Sequence, residues 1–313
     1  MTGRVIRNTG SHFMVEPLDG GTEIPCKIKG NFRIKGIRTT NPVAVGDIVD
    51  IAAPGADGTA YITNIHPRRN YIIRKASNLS KESHILAANI DCAMLVATLA
   101  HPTTSTTFID RFLATSRAYD IDAVICVNKT DLLTDADDRE YLDAFCYLYR
   151  SIGYKVIEVS ARTGAGIDTL RECLHNRTTL LSGNSGVGKS TIINDLIPGI
   201  DLRTAEISSV HDTGMHTTTF SELFKLPGGG SIIDTPGVRG FGTVDFDRNE
   251  VAHFFPEIFE TGKECRFGNC THTHEPGCAV LQALEEQRIA QSRYNSYLSI
   301  LEDADEGKYR KGY

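Results

Sequence analysis

The chain has 313 residues, 41% of them hydrophobic and 23% charged, with a formal net charge of −6. That length fits two or three domains, and that balance belongs to a globular chain rather than a disordered one. The negative charge excludes a surface that is basic all over, so any contact with nucleic acid must be local.

The longest apolar run, residues 92–100, is about half the length a membrane-spanning helix needs. Met1-Thr2-Gly3-Arg4 opens no secretory signal. The expectation is a cytoplasmic protein with no membrane partner and with reduced thiols. Of the eight cysteines, Cys26, Cys92, Cys126, Cys146 and Cys173 are scattered and read as small buried apolar side chains.

Residues 1–68 read as β structure. Short alternating or β-branched runs at 4–7, 13–16, 24–28 and 47–51 are separated by Gly, Asn, Asp and Pro, which predicts a small barrel. The stretch 26–38 carries five basic residues, Lys27, Lys29, Arg33, Lys35 and Arg38, together with Phe32 and no acid. Charge mixed with a stacking aromatic suits RNA on a barrel surface, although a solvated strand face has the same composition. Pro67-Arg68-Arg69-Asn70 reads as a linker.

Beyond it the pattern changes. Continuous apolar runs at 91–99 and 122–127 predict strands covered on both faces. Helices are expected over 108–119, 140–152 and 190–196, and strands over 155–159, 220–226 and 231–233. Strands alternating with helices imply a mostly parallel sheet. After residue 245, helices over 251–259 and 279–301 flank a Cys/His segment, and 302–313 reads as a polar, mobile tail.

Gly183-Asn184-Ser185-Gly186-Val187-Gly188-Lys189-Ser190-Thr191 matches G-x-x-x-x-G-K-[ST] between an apolar run and a helix. Its glycines let backbone N–H groups surround phosphate oxygens. Lys189 would neutralise β/γ-phosphate charge, and Ser190 would offer its hydroxyl to Mg²⁺. Asn128-Lys129-Thr130-Asp131 follows a strand end, where α/β sheets place ligand contacts. A carboxylate at Asp131 can accept both N1–H and the 2-amino group of guanine, a pattern adenine lacks. Ser160 and Ala161 follow the next strand and can lend a backbone N–H to a purine oxygen. Asp234-Thr235-Pro236-Gly237 follows a third strand, where Asp234 can hold a Mg²⁺-bound water and Gly237 can turn its N–H to a γ-phosphate. His216-Thr217-Thr218-Thr219 lies between, in a polar segment suited to a switch.

Together these are the signatures of Ras-like GTPases in an altered order, with N-K-x-D and S-A ahead of the P-loop. A circular permutation explains the order, since compact domains tolerate being opened elsewhere. It also makes the segment after Asp234 run straight into the C-terminal region. There Cys265, Cys270, His272 and Cys278 form C-x4-C-x-H-x5-C, a ligand set for tetrahedral structural Zn²⁺, with His274 a competing ligand.

The whole resembles the ribosome small-subunit-dependent GTPase A family over nearly the full chain. The resemblance implies an OB-fold barrel (1–68), a permuted GTPase domain (69–245) and a helical zinc domain (246–313). It implies a monomer that binds GTP and GDP with Mg²⁺, contacts rRNA, is stimulated by the 30S subunit and acts in its late maturation. By the same resemblance Thr218, or else Thr217, ligates Mg²⁺ beside Ser190. Val238 stands where Ras-type enzymes place a water-orienting Gln, so the isolated enzyme should be slow. His216 is the catalytic candidate in the switch, and Asp245 a substitute for a His that relatives carry nearby. The competing reading is a GTP-dependent switch for a protein partner.

Overall fold

The computed structural model describes residues 1–28, 42–75, 83–200, 202, 221–234 and 246–309, and at 74–75, 83–84 and 305–309 the backbone alone. Lys29, Phe32, Arg33, Lys35, Arg38, His216, Thr217, Thr218, Gly237, Val238 and Asp245 lie outside them.

Five strands make the N-terminal barrel: β1 (Thr2–Asn8), β2 (Phe13–Pro17), β3 (Ile24–Ile28), β4 (Ile48–Ile51) and β5 (Ala60–Ile65). They pair in the order β1-β2-β3-β5-β4, and β4 returns to β1 with Gly3 opposite Val49. β3 and β5 run parallel and the other pairs antiparallel. Closure removes the sheet edges, as in an OB-fold. Alternation along each strand sends Val5, Phe13, Val15, Cys26, Val49, Ile51 and Ile62 into one core.

A hairpin of β6 (Tyr71–Lys75) and β7 (Ser83–Ala88), not anticipated from the sequence, leads into the central domain. There β8 (Cys92–Ala97), β9 (Asp122–Val127), β10 (Lys155–Glu158), β11 (Thr178–Ser182) and β13 (Ser231–Asp234) are parallel, and β12 (Glu222–Lys225) is antiparallel to β13. Their spatial order is β10-β9-β8-β11-β13-β12. Every residue of β8 is buried because both faces are covered. Ala93, Leu95 and Ala97 face a cluster with Ile109, Phe112 and Phe145, from α1 (Thr106–Ala118) and α2 (Ala136–Ser151). Met94 and Val96 face Leu170 of α3 (Ile167–Leu174) and Ile192 and Ile193 of α4 (Lys189–Leu196). The helix expected from 140 begins four residues sooner, because Asp135 caps it by accepting from Asp138 N at 2.8 Å. α3 was not foreseen.

The C-terminal helices differ from the expected pair. Residues 251–259 are not one helix: a 3-10 turn, Val251–Phe254, precedes α5 (Pro256–Gly262). Pro256 has no N–H to continue a helix and holds Phe255 extended, at φ −115 and ψ 96. Residues 279–301 are also two pieces, α6 (Ala279–Glu285) and α7 (Gln291–Tyr309), separated where Gln287 takes φ 58. The tail expected to be mobile is helical as far as Tyr309. Phe255, Ile258, Tyr297 and Ile300 form the core of this region, and Ala114 of α1 is part of it. The C-terminal region is therefore packed on the central domain.

The segment expected as a linker is likewise bound. Arg68 donates through Nε and Nη2 to the two carboxylate oxygens of Asp47, each at 2.6 Å, and Asp47 is fully buried. Ala88 N donates to Val45 O at 2.9 Å. A Cβ on Gly46 would come 2.1 Å from Ala88 O, so the barrel approaches the hairpin this closely only through glycine.

Candidate functional site

The strand ends gather the motifs. β8, β9, β10, β11 and β13 are parallel, so the residues that follow them lie along one edge of the sheet. β11 sits between the earlier β8 and the later β13, which makes its carboxyl end the topological switch point where open α/β sheets bind ligands. The loop 183–188 leaves β11 there and opens α4 at Lys189. Val187, fully buried, anchors the loop in the core. Gly188 holds φ 93, and a Cβ on it would lie 2.4 Å from Asn128 Nδ2.

That contact marks the junction of three loops. Asn128 is 3% exposed. Its Nδ2 donates to Val187 O at 2.8 Å and its Oδ1 accepts from Ala161 N at 3.1 Å. One amide thus ties the phosphate loop to both loops expected to hold the base. Thr130 donates through Oγ1 to Val159 O at 3.1 Å. Ser160, 1% exposed, donates to Asp131 Oδ1 at 2.6 Å and accepts at the same oxygen from Thr163 N at 3.2 Å. Beyond the backbone N–H expected of it, Ser160 uses its hydroxyl to aim the Asp131 carboxylate.

On the phosphate side, Lys189 Nζ donates to Gly183 O at 2.6 Å and Asn184 O at 2.8 Å, folding over the loop. Burial pushes its pKa down, and the Asp234 carboxylate pushes it back up. Asp234 ends β13, with Leu181 of β11 on one side and Glu222 of β12 on the other. Ser190 and Thr191 open α4. The loop after β8 is an addition that no motif marked: Lys129 Nζ donates to His101 O, and Pro102 Cδ lies 3.6 Å from the Cβ position of Gly186.

The cysteine–histidine group closes as expected. The ligand atoms of Cys265, Cys270, His272 and Cys278 all lie within 4.8 Å of one another. His272 Nδ1 is 3.5 Å from Sγ of both Cys265 and Cys278, and those two sulfurs are 3.9 Å apart. A tetrahedral Zn²⁺ with its usual bond lengths requires S–N edges of about 3.5 Å and S–S edges of about 3.8 Å. Cys265, His272 and Cys278 thus stand at the edges zinc requires, and with Cys270 in the same group the four donors are compatible with a structural zinc. His274 is exposed, bonded to Thr273 Oγ1 at 2.8 Å, and is not in the group. Tyr294 and Tyr297 donate to the carbonyls of His272 and Thr271 at 2.7 and 2.8 Å. Burial raises the Glu275 pKa, but the Thr271 hydroxyl and the backbone N–H groups of Thr271 and His274 donate to its carboxylate, outweigh burial and hold it well below its usual range; Thr273 N donates to it as well. The remaining five cysteines are buried and unpaired, as expected.

The signature of the family described as RsgA GTPase matches residues 65–244, and that of the RsgA N-terminal domain matches residues 2–62. The chain belongs to the RsgA GTPase family. It is 59% identical over 313 residues, covering 100% of both chains, to the protein of Bacteroides fragilis named small ribosomal subunit biogenesis GTPase RsgA. The protein of that name from Porphyromonas gingivalis is 58% identical over 317 residues, again covering 100% of both. Among solved structures, YjeQ from Thermotoga maritima superposes with a TM-score of 0.78 at 32% identity, covering 97% of this chain and 98% of that one. YloQ, described as a circularly permuted GTPase, gives 0.73 at 30% identity over 100% and 96%. Like others in the RsgA family, this chain is a GTPase with an N-terminal OB-like barrel and a permuted nucleotide-binding domain, and Mg²⁺ accompanies its GTP.

Proposed function

We propose that this GTPase acts on the small ribosomal subunit during its late maturation, as a cytoplasmic monomer that binds GTP and GDP and contacts rRNA. The observation that carries the reading is full-length identity of 56–59% to proteins named for small-subunit biogenesis, extending through barrel, GTPase and zinc regions alike. We assign 1–68 to the barrel, 69–245 to the GTPase domain and 246–313 to the zinc domain.

In this reading Asp131, aimed by Ser160, accepts the guanine edge, and Asn128, Lys129, Thr130 and Ala161 shape the base pocket. Residues 183–191 hold the phosphates, with Lys189 supplying a positive charge whose attraction for phosphate is stronger in a partly buried site than in water. Ser190 and Thr218 would hold Mg²⁺, which neutralises phosphate charge when bound. Asp234 would serve the γ-phosphate side together with Gly237, and His216 is the catalytic candidate from the switch sequence. Cys265, Cys270, His272 and Cys278 hold one Zn²⁺ as a structural tie. Lys27, Lys29, Phe32, Arg33, Lys35 and Arg38 bind RNA; Lys27 stands on β3 opposite Tyr61 of β5, an aromatic 45% exposed.

The test is the GTP hydrolysis rate as purified 30S subunits are titrated in. Strong stimulation of a slow basal rate is expected. A flat titration would favour the alternative, a GTP-dependent switch for a protein partner.

A further inference from the structure

β12 is the first strand after the segment that carries His216, Thr217 and Thr218, and it pairs with β13 so that Glu222 lies opposite Asp234. Its outer edge is not open. β1 of the barrel pairs with it antiparallel, Arg7 opposite Glu222, and Asn8 N donates to Ser221 O at 3.4 Å. Arg7, Glu222, Asp234 and Leu181 therefore form one lateral row across β1, β12, β13 and β11. The row runs from the barrel to the strand that launches the phosphate loop.

Two features fix its register. The first is an irregularity in β1 between Val5 and Arg7. Val5 belongs to the barrel core, while Ile6, 9% exposed, packs in the GTPase core with Leu223 and Ile233. Ordinary strand alternation puts these neighbours on opposite faces, so one strand serves two cores. The irregularity then keeps Arg7, which strict alternation would return to the barrel face, exposed and beside β12. The second is a pair of complementary charges. Arg7 Nε donates to Glu222 Oε1 at 2.8 Å, and Lys225 pairs with Glu16 of β2. The barrel thus presents a cation and an anion to an anion and a cation three residues apart on β12. Pairs this exposed contribute less than about 1 kcal/mol each to stability. Their consequence is register, since sliding β12 along β1 separates both pairs together.

We propose that Arg7 is a positioning residue for GTP hydrolysis: by holding Glu222 it fixes β12 against β13, and so fixes Asp234 at the phosphate edge. The barrel is in this respect part of the GTPase active-site framework. The inference rests on the reading that Asp234 serves the phosphate side of the site.

The experiment uses the full chain without ribosomes and measures kcat and KM for GTP, with a thermal midpoint for each variant. Arg7→Glu, Glu222→Arg and Arg7→Met should each lower kcat about threefold to tenfold, since small displacements at a reacting centre are costly. KM should stay within about twofold, because these changes leave the Asn128 bonds to Val187 and Ala161 in place. The double variant Arg7→Glu/Glu222→Arg restores the pair with reversed polarity and should recover most of the loss. Unchanged kcat in the single variants, an effect confined to KM, or a double variant no faster than either single reversal would overturn the proposal. Asp234→Asn, assayed alongside, separates the two readings. Normal turnover there would remove the role of Asp234 itself, whereas lost turnover there with intact Arg7 variants would remove only Arg7.

Discussion

Arg293 of α7 and Asp110 of α1 form an ion pair between the C-terminal helices and the nucleotide-binding domain, with side chains 1% and 0% exposed. Arg293 Nη1 donates to Asp110 Oδ1 at 2.7 Å, an oxygen that also accepts from Tyr149 OH at 2.8 Å. The same guanidinium reaches Glu257 through Nε at 2.6 Å and lies 4.6 Å from the centre of the Phe255 ring. Covalent continuity after Asp234 is thus not the only tie between the domains. α1, whose N-terminal loop touches Lys129, is also the platform on which the C-terminal helices sit.

Removing the cation should be costly. Arg293→Met leaves Asp110 buried without its counter-charge, and a loss of about 3–5 kcal/mol is expected by chemical denaturation. Burial already pushes the Asp110 carboxyl above its ordinary value, with Arg293 opposing. A carboxyl raised in the folded state contributes stability that is present below its unfolded value of about 3.9 and lost as pH rises through the folded value. The deficit of Arg293→Met against wild type should therefore be smaller at pH 5 than at pH 7.5, and Arg293→Met/Asp110→Asn should recover part of it. A deficit independent of pH would mean Asp110 is not the group left uncompensated.

The Ser160–Asp131 bond gives the base pocket its own test. Asp131→Asn presents an NH2 donor where guanine also donates, but xanthine carries a carbonyl there. GTP affinity should fall about tenfold or more, the scale of a lost charged hydrogen bond, and affinity for xanthosine triphosphate should rise. Ser160→Ala should weaken GTP less and produce no xanthine preference, because it loosens the carboxylate without changing its chemistry. Competition binding of the two nucleotides reads both. An unchanged preference in Asp131→Asn would take Asp131 out of the pocket.

The N-K-x-D, S-A, P-loop and Asp234 positions were legible because they are local: each follows a strand, whether a continuous apolar run such as β9 or a piece as short as the four residues of β13. What the sequence did not reveal were contacts between distant segments. Asn128 binding Val187 joins residues 59 apart, and Arg293 binding Asp110 joins residues 183 apart. Arg68 read as part of a linker because basic and proline-flanked residues look solvated, yet its partner Asp47 lies 21 residues earlier and is buried. The helix ends were misjudged for a different reason. Apolar periodicity runs on through 251–259 and 279–301, and only Phe255, held extended before Pro256, and Gln287 at positive φ interrupt the backbone.

The zinc group should hold one metal ion per chain after dialysis, lost in Cys270→Ser/Cys278→Ser. Without metal, burial pushes the Cys270 thiol up to about 12, and Cys278 upward as well. At neutral pH these thiols begin protonated, so loading must release protons, and affinity must fall as pH drops. Titrating Zn²⁺ into chelator-stripped protein in weak buffer measures both quantities. Because Tyr294 and Tyr297 hold the loop carbonyls and also pack in the core of the C-terminal helices, stripping should lower the thermal midpoint of that region. Full retention of metal in the double variant would contradict the ligand set.

The last expectation concerns the ribosomal contact. Lys27 begins the basic stretch at the end of β3, opposite Tyr61. If this face meets rRNA, its cations displace counterions from phosphates, and subunit affinity falls with salt. Replacing Lys27, Arg33 and Lys35 with Ala removes three such contacts. The slope of log affinity against log salt should become shallower by about two to three, and binding should weaken most at low salt. Basal GTP hydrolysis should not change, since none of the three belongs to the Arg7–Glu222–Asp234 row or to the loops that Asn128 ties together. The measurement is the GTPase rate against 30S concentration at two salt concentrations, for wild type and this variant. Stimulation that keeps the same midpoint and salt slope in the variant would leave the ribosomal function standing but move the anchor elsewhere, with the exposed Tyr61 face losing its claim as well.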